Sequence, residues 1–162
     1  MKLELKHIVP YLPYGLKCRV KDKGKTKFSE LSGIYNDCSC VFFDIIESQQ
    51  GFSEVKPILR PLSDLTKEID GVVGIVELAK IAAEYWGVDF DVDKISPFGA
   101  GVCSTDGCEF GFTGLEFYFL GDEKDSIEIN QLTYFEYLFE NHYDVYGLIE
   151  KGLAIDINTI EK

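Results

Sequence analysis

From Leu16 the chain alternates strictly. Leu16, Cys18 and Val20 interleave with Lys17, Arg19 and Lys21, and after Asp22-Lys23-Gly24 the basic residues resume at Lys25 and Lys27. A period of two belongs to an extended chain with one face buried and the other in water. Two such runs around a glycine-bearing turn specify a β-hairpin, because Gly24 can supply the positive φ that a tight loop demands. With a three-residue loop, Lys21 faces Lys25 and Arg19 faces Lys27 on one surface, while Val20–Thr26 and Cys18–Phe28 pair on the other. A slip of one residue would send every side chain to the opposite face. The expectation is therefore a single basic face made of Lys17, Arg19, Lys21, Lys25 and Lys27.

That face stands against the rest of the chain. The first thirty residues hold eight Lys/Arg and three Asp/Glu, a net of +5, whereas the remaining 132 hold eight and 25, a net of −17. A local patch of one sign is a statement about what it touches. The total of −12 disfavours general nucleic-acid binding but leaves room for a local basic contact. Twelve Phe and nine Tyr in 162 residues supply enough buriable area for a real core. No apolar run has the length of a membrane span. The start, Met1-Lys2-Leu3-Glu4-Leu5-Lys6-His7, has no apolar centre of a signal peptide, so the expected location is the cytoplasm, with the five cysteines as free thiols.

Along the chain, Pro10 and Pro13 punctuate a short helical turn or packed extended segment. Strand two is expected to continue to Ile34 with a bulge at Gly33. Val41-Phe42-Phe43-Asp44-Ile45-Ile46 reads as a central strand, and Asn36-Asp37 and Gln49-Gln50-Gly51 as turns. Val55 to Leu62 carries Pro57 and Pro61 and reads as an edge or connector. Residues 14–60 thus form an antiparallel meander, either open or curled into a small barrel. Ser63 or Asp64 caps a short helical turn. Ile75, Leu78, Ala79, Ala82 and Trp86 have helical spacing, which predicts a helix over 73–86 closed by Gly87.

Residues 88–130 read as hairpins, with a turn at Asp106-Gly107. Asn130 then caps an aromatic-rich helix to about 143, whose main stripe of Leu132, Phe135, Phe139, Tyr143 and Tyr146, widened by Tyr134, Tyr137 and Leu138, should be core, together with Trp86. A second short helix is expected from about 145 to Gly152, followed by a closing strand at Leu153, Ile155 and Ile157. The predicted class is α+β: an N-terminal meander, then a helix, β-hairpins and a C-terminal helix. Residues 1–162 read as one composite domain, with 62–72 as the place where a boundary would fall.

Several constellations imitate sites. Cys38-Ser39-Cys40 with Cys103 and Cys108 offers four thiols, but one intervening residue is poor spacing for zinc. Asp89-Phe90-Asp91-Val92-Asp93 begins like a calcium loop, yet Lys94 and Ala100 occupy the positions that need Gly and Glu. Phe98-Gly99-Ala100-Gly101 lacks the Lys-Ser/Thr of a phosphate loop. His142 with Asp144 and a cysteine would make a nucleophile–base–orienter set only if geometry brought them together. No cofactor and no metal is expected.

Three stretches carry a resemblance. They are Leu5-Lys6-His7 running into Tyr11-Leu12-Pro13-Tyr14-Gly15-Leu16-Lys17, then Lys56-Pro57-Ile58-Leu59-Arg60-Pro61-Leu62-Ser63-Asp64-Leu65-Thr66-Lys67-Glu68-Ile69, and His142-Tyr143-Asp144-Val145-Tyr146-Gly147-Leu148-Ile149-Glu150-Lys151-Gly152-Leu153-Ala154-Ile155-Asp156-Ile157-Asn158. In order and spacing these resemble a family of uncharacterised proteins common in Bacteroidetes genomes and their phages. The resemblance implies a mobile-element origin and a cytoplasmic site of action, and carries no catalytic residue. With it, the leading expectation is a non-enzymatic binding or adaptor protein that uses its basic face on a protein partner. The alternatives are a nucleic-acid-directed accessory factor or acidic DNA mimic, and a small enzyme with a cysteine or metal site.

Overall fold

The computed structural model describes residues 2–34, 40–43, 46–87, 92, 94–96, 101–104, 107–114, 116–121 and 126–160. The fold is mixed α+β. Its backbone contacts divide it into two compact units, Met1–Pro61 with Leu138–Lys162, and Leu62–Tyr137.

In the first unit two 3₁₀ turns, Leu5–His7 and Val9–Tyr14, lead into the hairpin of β1 (Lys17–Asp22) and β2 (Lys25–Ile34). There follow β3 (Cys40–Phe43), β4 (Ile46–Gly51) and β5 (Val55–Leu59). The sheet order is Ile155–Asp156, β5, β1, β2, β3, β4. It is open at both edges, so the meander does not close into a barrel. Three expectations change here. Gln49, Gln50 and Gly51 belong to β4 rather than to a turn, so β4 takes the edge and β3 is central, as expected. β5 is internal, paired antiparallel with β1 and parallel with Ile155–Asp156. Pro61 lies beyond the end of β5, and Pro57 stands opposite Cys18 in the β1 ladder and outside the parallel one, which engages Ile58 and Leu59. Residues 145–152 form turns rather than a helix, and the closing strand is only Ile155–Asp156, followed by a 3₁₀ turn. The bulge in β2 lies between Leu31 and Gly33, as its glycine suggests. The turn expected at Asn36-Asp37 lies outside the described residues.

The inward face of this sheet carries Cys18, Val20, Leu31, Val41, Phe43, Val55 and Leu59, packed with Ile8, Tyr11 and Leu148 in one apolar cluster. Tyr11 is fully buried. Its hydroxyl donates to the Tyr143 carbonyl at 2.6 Å, and its ring meets Phe139 edge-on at 5.0 Å.

The second unit begins with a 3₁₀ turn at Leu62–Thr66 and a small ladder of β6 (Glu68–Ile69) and β7 (Val72–Val73). Helix α1 (Gly74–Trp86) follows the expected spacing, burying Ile75, Leu78, Ala79, Ala82 and Ala83, and Gly87 ends it in the left-handed conformation at φ 64°. The Trp86 side chain and the Asp106 turn lie outside the description. Strands β8 (Lys94–Ser96), β9 (Gly101–Ser104), β10 (Glu109–Phe112), β11 (Phe117–Leu120) and β12 (Ser126–Ile127) make an antiparallel sheet in the order β12, β11, β10, β9, β8. Phe110, Phe112, Phe117 and Phe119 are buried, and Phe112 stacks on Phe117 at 4.2 Å.

Helix α2 (Gln131–Glu140) is where the two units divide. Asn130 caps it, accepting from the Leu132 amide at 3.1 Å. It ends at Glu140, and Leu132 alone of the expected apolar face is largely exposed. Leu132 is 63% exposed, whereas Tyr134 and Leu138 are buried and Phe135 and Phe139 half-buried. Gln131 explains this exposure: its amide brackets the Phe117 backbone, donating to the carbonyl at 2.8 Å and accepting from the amide at 2.9 Å. That anchor turns Tyr134 onto Phe110 and Phe117, with Leu132 pointing away.

Candidate functional site

The basic hairpin is present, but in another register. Asp22 lies opposite Lys25, Lys21 opposite Thr26, Val20 opposite Lys27, Arg19 opposite Phe28 and Lys17 opposite Glu30. The loop is the two-residue Lys23-Gly24, with φ of 49° and 78°. Positive φ at both central positions is the type I′ geometry, whose twist matches that of the strands. The expected three-residue loop would have set Lys21 against Lys25 and Arg19 against Lys27, two like-charge oppositions. The observed register replaces them with Asp22–Lys25 and Lys17–Glu30.

The five cations therefore do not share a face. Lys25 and Lys27 fall on the side of Val20 and Cys18, where Lys27 Nζ meets the buried Asp22 carboxylate at 2.7 Å. Lys17, Arg19 and Lys21 remain together on the outer side of β1. No ion pair engages any of these three among the described residues. Successive outward residues on a strand lie about 6.7 Å apart, so the three charges form an evenly spaced row.

Two further residues join this face that sequence reasoning did not place there. Phe28 is 52% exposed and sits directly across from Arg19. Lys56 of β5 flanks Arg19 on the other side, and its ammonium donates to the Gly152 carbonyl at 2.6 Å. Across the three strands the row reads Lys56, Arg19, Phe28. The assumed register had assigned Phe28 to the core. The signal that could have found it is electrostatic: directly opposed lysines argue against the longer loop.

Below Lys17 the face ends at Glu30, whose carboxylate packs against Gly15. Gly15 has φ of 67°, and a side chain there would collide with Glu30. His142 lies close by, half-buried, with Nε2 at 2.9 Å from the Tyr14 carbonyl. Burial depresses its pKa from 6.5; Arg60 and Lys17 add to the depression, while the Tyr14 hydrogen bond and Glu30 oppose it. The Arg60 guanidinium lies over the Tyr143 ring at 5.9 Å. Near the start of β5, a cavity of about 280 Å³ is lined by Leu3, Phe52, Val55 and Leu153, with Lys2 and Lys56 as its charged groups.

The other sequence candidates resolve as follows. Asp144 is buried, and both its carboxylate oxygens accept backbone amides, Leu148 at 2.7 Å and Ile149 at 2.8 Å. It orients a turn rather than His142. Cys18 is buried in the apolar cluster, where desolvation pushes its thiol up to about 12. Such a thiol is a packing group, since the thiolate is the reactive form. Of the four cysteines considered for zinc, only Cys108 has a described side chain, and it is buried. The calcium-like segment is largely outside the described residues, as is most of the glycine-rich segment, residues 97–100. Among the described residues no group of three or more His, Cys, Asp or Glu is placed to hold a metal ion. None of the helices described is long and apolar enough to cross a membrane.

Comparison of the chain with family models, with curated proteins and with solved structures found no match.

Proposed function

We propose that this is a non-enzymatic binding protein, an adaptor of the kind carried by phages and other mobile elements, that engages an anionic partner through the outer face of β1, β2 and β5. The carrying observation is the row of Lys17, Arg19 and Lys21 beside the exposed ring of Phe28, on an open sheet face in an otherwise acidic chain. Ionic groups that serve only the fold are tied into it, as Asp22–Lys27 is. Cations left in water beside an exposed aromatic are the usual makings of a contact surface. The mobile-element assignment rests on the family resemblance. The binding reading rests on the face.

The test is to compare the two sides of the hairpin. The double substitution Arg19→Glu, Lys21→Glu should abolish retention on a polyanionic column at low salt and leave the melting temperature nearly unchanged. Lys27→Glu should lower the melting temperature, because it sets a carboxylate beside buried Asp22, and leave retention largely intact. Equal retention of all three proteins would remove the face as the contact surface.

A further inference from the structure

The row of charges carries a finer statement about its occupant. We infer that the partner of this face is a single-stranded nucleic acid, held by its phosphates along β1 with a base stacked on Phe28. This rests on the cationic face being the contact surface. Three observations narrow the anion. First, Lys17, Arg19 and Lys21 repeat every second residue on one strand, about 6.7 Å apart. That spacing matches successive phosphates along an extended single strand. Second, Phe28 lies beside the middle of the row, across from Arg19, and shows half its surface to solvent. An exposed aromatic flanked by cations on an open antiparallel sheet is a stacking platform, and every base offers it a π-face. Third, the sheet is three strands wide at this point, from Lys56 through Arg19 to Phe28. The remaining chain, at −17 beyond the first thirty residues, repels a polyanion everywhere else and so confines it to this track. Glu30, directly across from Lys17, closes the track at that end.

The experiment is fluorescence anisotropy with labelled dT and rU oligonucleotides of about a dozen nucleotides. A duplex of equal length and a poly-glutamate chain serve as further probes, each across a salt series. Wild type should bind the single strands more tightly than the duplex. Affinity should fall with salt at a slope of roughly 0.7 per phosphate contacted. Phe28→Ala should weaken single-strand binding by about tenfold or more with an unchanged slope, since stacking releases no counterions. Lys21→Glu should weaken binding and flatten the slope. Both side chains are exposed, so both variants should melt as wild type does. Preference between dT and rU tells DNA from RNA.

Poly-glutamate binding that depends on Lys21, with no oligonucleotide binding, would overturn the nucleic-acid inference and leave the cationic face standing. Oligonucleotide binding indifferent to Phe28→Ala, or equal for the duplex, would overturn the stacked single-strand mode. Absence of binding to every probe would overturn both this inference and the reading beneath it.

Discussion

Tyr11 shows how one side chain can hold distant parts of the chain together. Its hydroxyl donates to the Tyr143 carbonyl and lies 3.4 Å from the Val145 amide. Removing that oxygen takes one donor from the Tyr143 carbonyl, which still accepts from the Val145 amide at 2.9 Å, so Tyr11→Phe should cost about 0.5–1.5 kcal/mol in a urea melt. His7 and His142 work in a different way. Burial is the leading cause that lowers both below 6.5. A depressed histidine binds fewer protons folded than unfolded, so its share of stability is complete above 6.5 and lost as pH falls from there through the folded value. Thermal melts should therefore drop as the pH is lowered below about 6.5. His142→Gln, which can still donate to the Tyr14 carbonyl, should flatten part of that drop. An unchanged pH profile in this variant would show that His142 is not depressed. Neither histidine's environment was legible in the sequence, because it is made by Tyr14, Glu30 and Tyr146 from elsewhere in the chain.

At the scale of elements, what was legible followed from local rules. Helix α1 and its Gly87 terminator need only spacing and a left-handed cap, and both stand where expected. The β1–β2 hairpin was legible as a hairpin, but its register was not. Alternation is satisfied by more than one pairing, and the choice fell to opposed charges and strand twist. The turn carries a trace of that choice in Lys23, a non-glycine residue at φ 49°. Lys23→Asn should raise stability by up to about 1 kcal/mol, since Asn tolerates the left-handed region that lysine resists. A melt lowered by this substitution would mean that the lysine ammonium itself contributes to the turn. In α2 the apolar face was drawn too wide, taking in Leu132, because so many aromatics compete for the core. The Gln131 bracket on Phe117, a polar contact, decided which of them face inward. Phe117 touches Phe110, Phe112, Tyr134 and Phe135, so Phe117→Ala should cost about 3–5 kcal/mol.

At the scale of the whole molecule, the charge contrast between the first thirty residues and the rest was plain in the sequence, and the face it marks is smaller than its count. Two of the five expected cations serve the other side of the hairpin, while Phe28 and Lys56 came from pairings that no local pattern displays. The division of the chain also joins ends that are far apart in sequence. Ile155 and Asp156 pair with Ile58 and Leu59, and Arg60 exchanges backbone hydrogen bonds with His142 and Asp144. Ending the chain after Glu140 should therefore expose residues 1–61 to limited proteolysis under conditions where the full chain resists; equal resistance would show that these pairings do not hold the unit. The same connectivity imposes an order on biosynthesis. A ribosome delivers β1 to β5 first, yet the strand and turns that complete their unit emerge only after the whole of Leu62–Tyr137. During that interval the hairpin and its neighbours wait with the Tyr11 side of the core uncovered, so the nascent chain is sticky until those turns arrive.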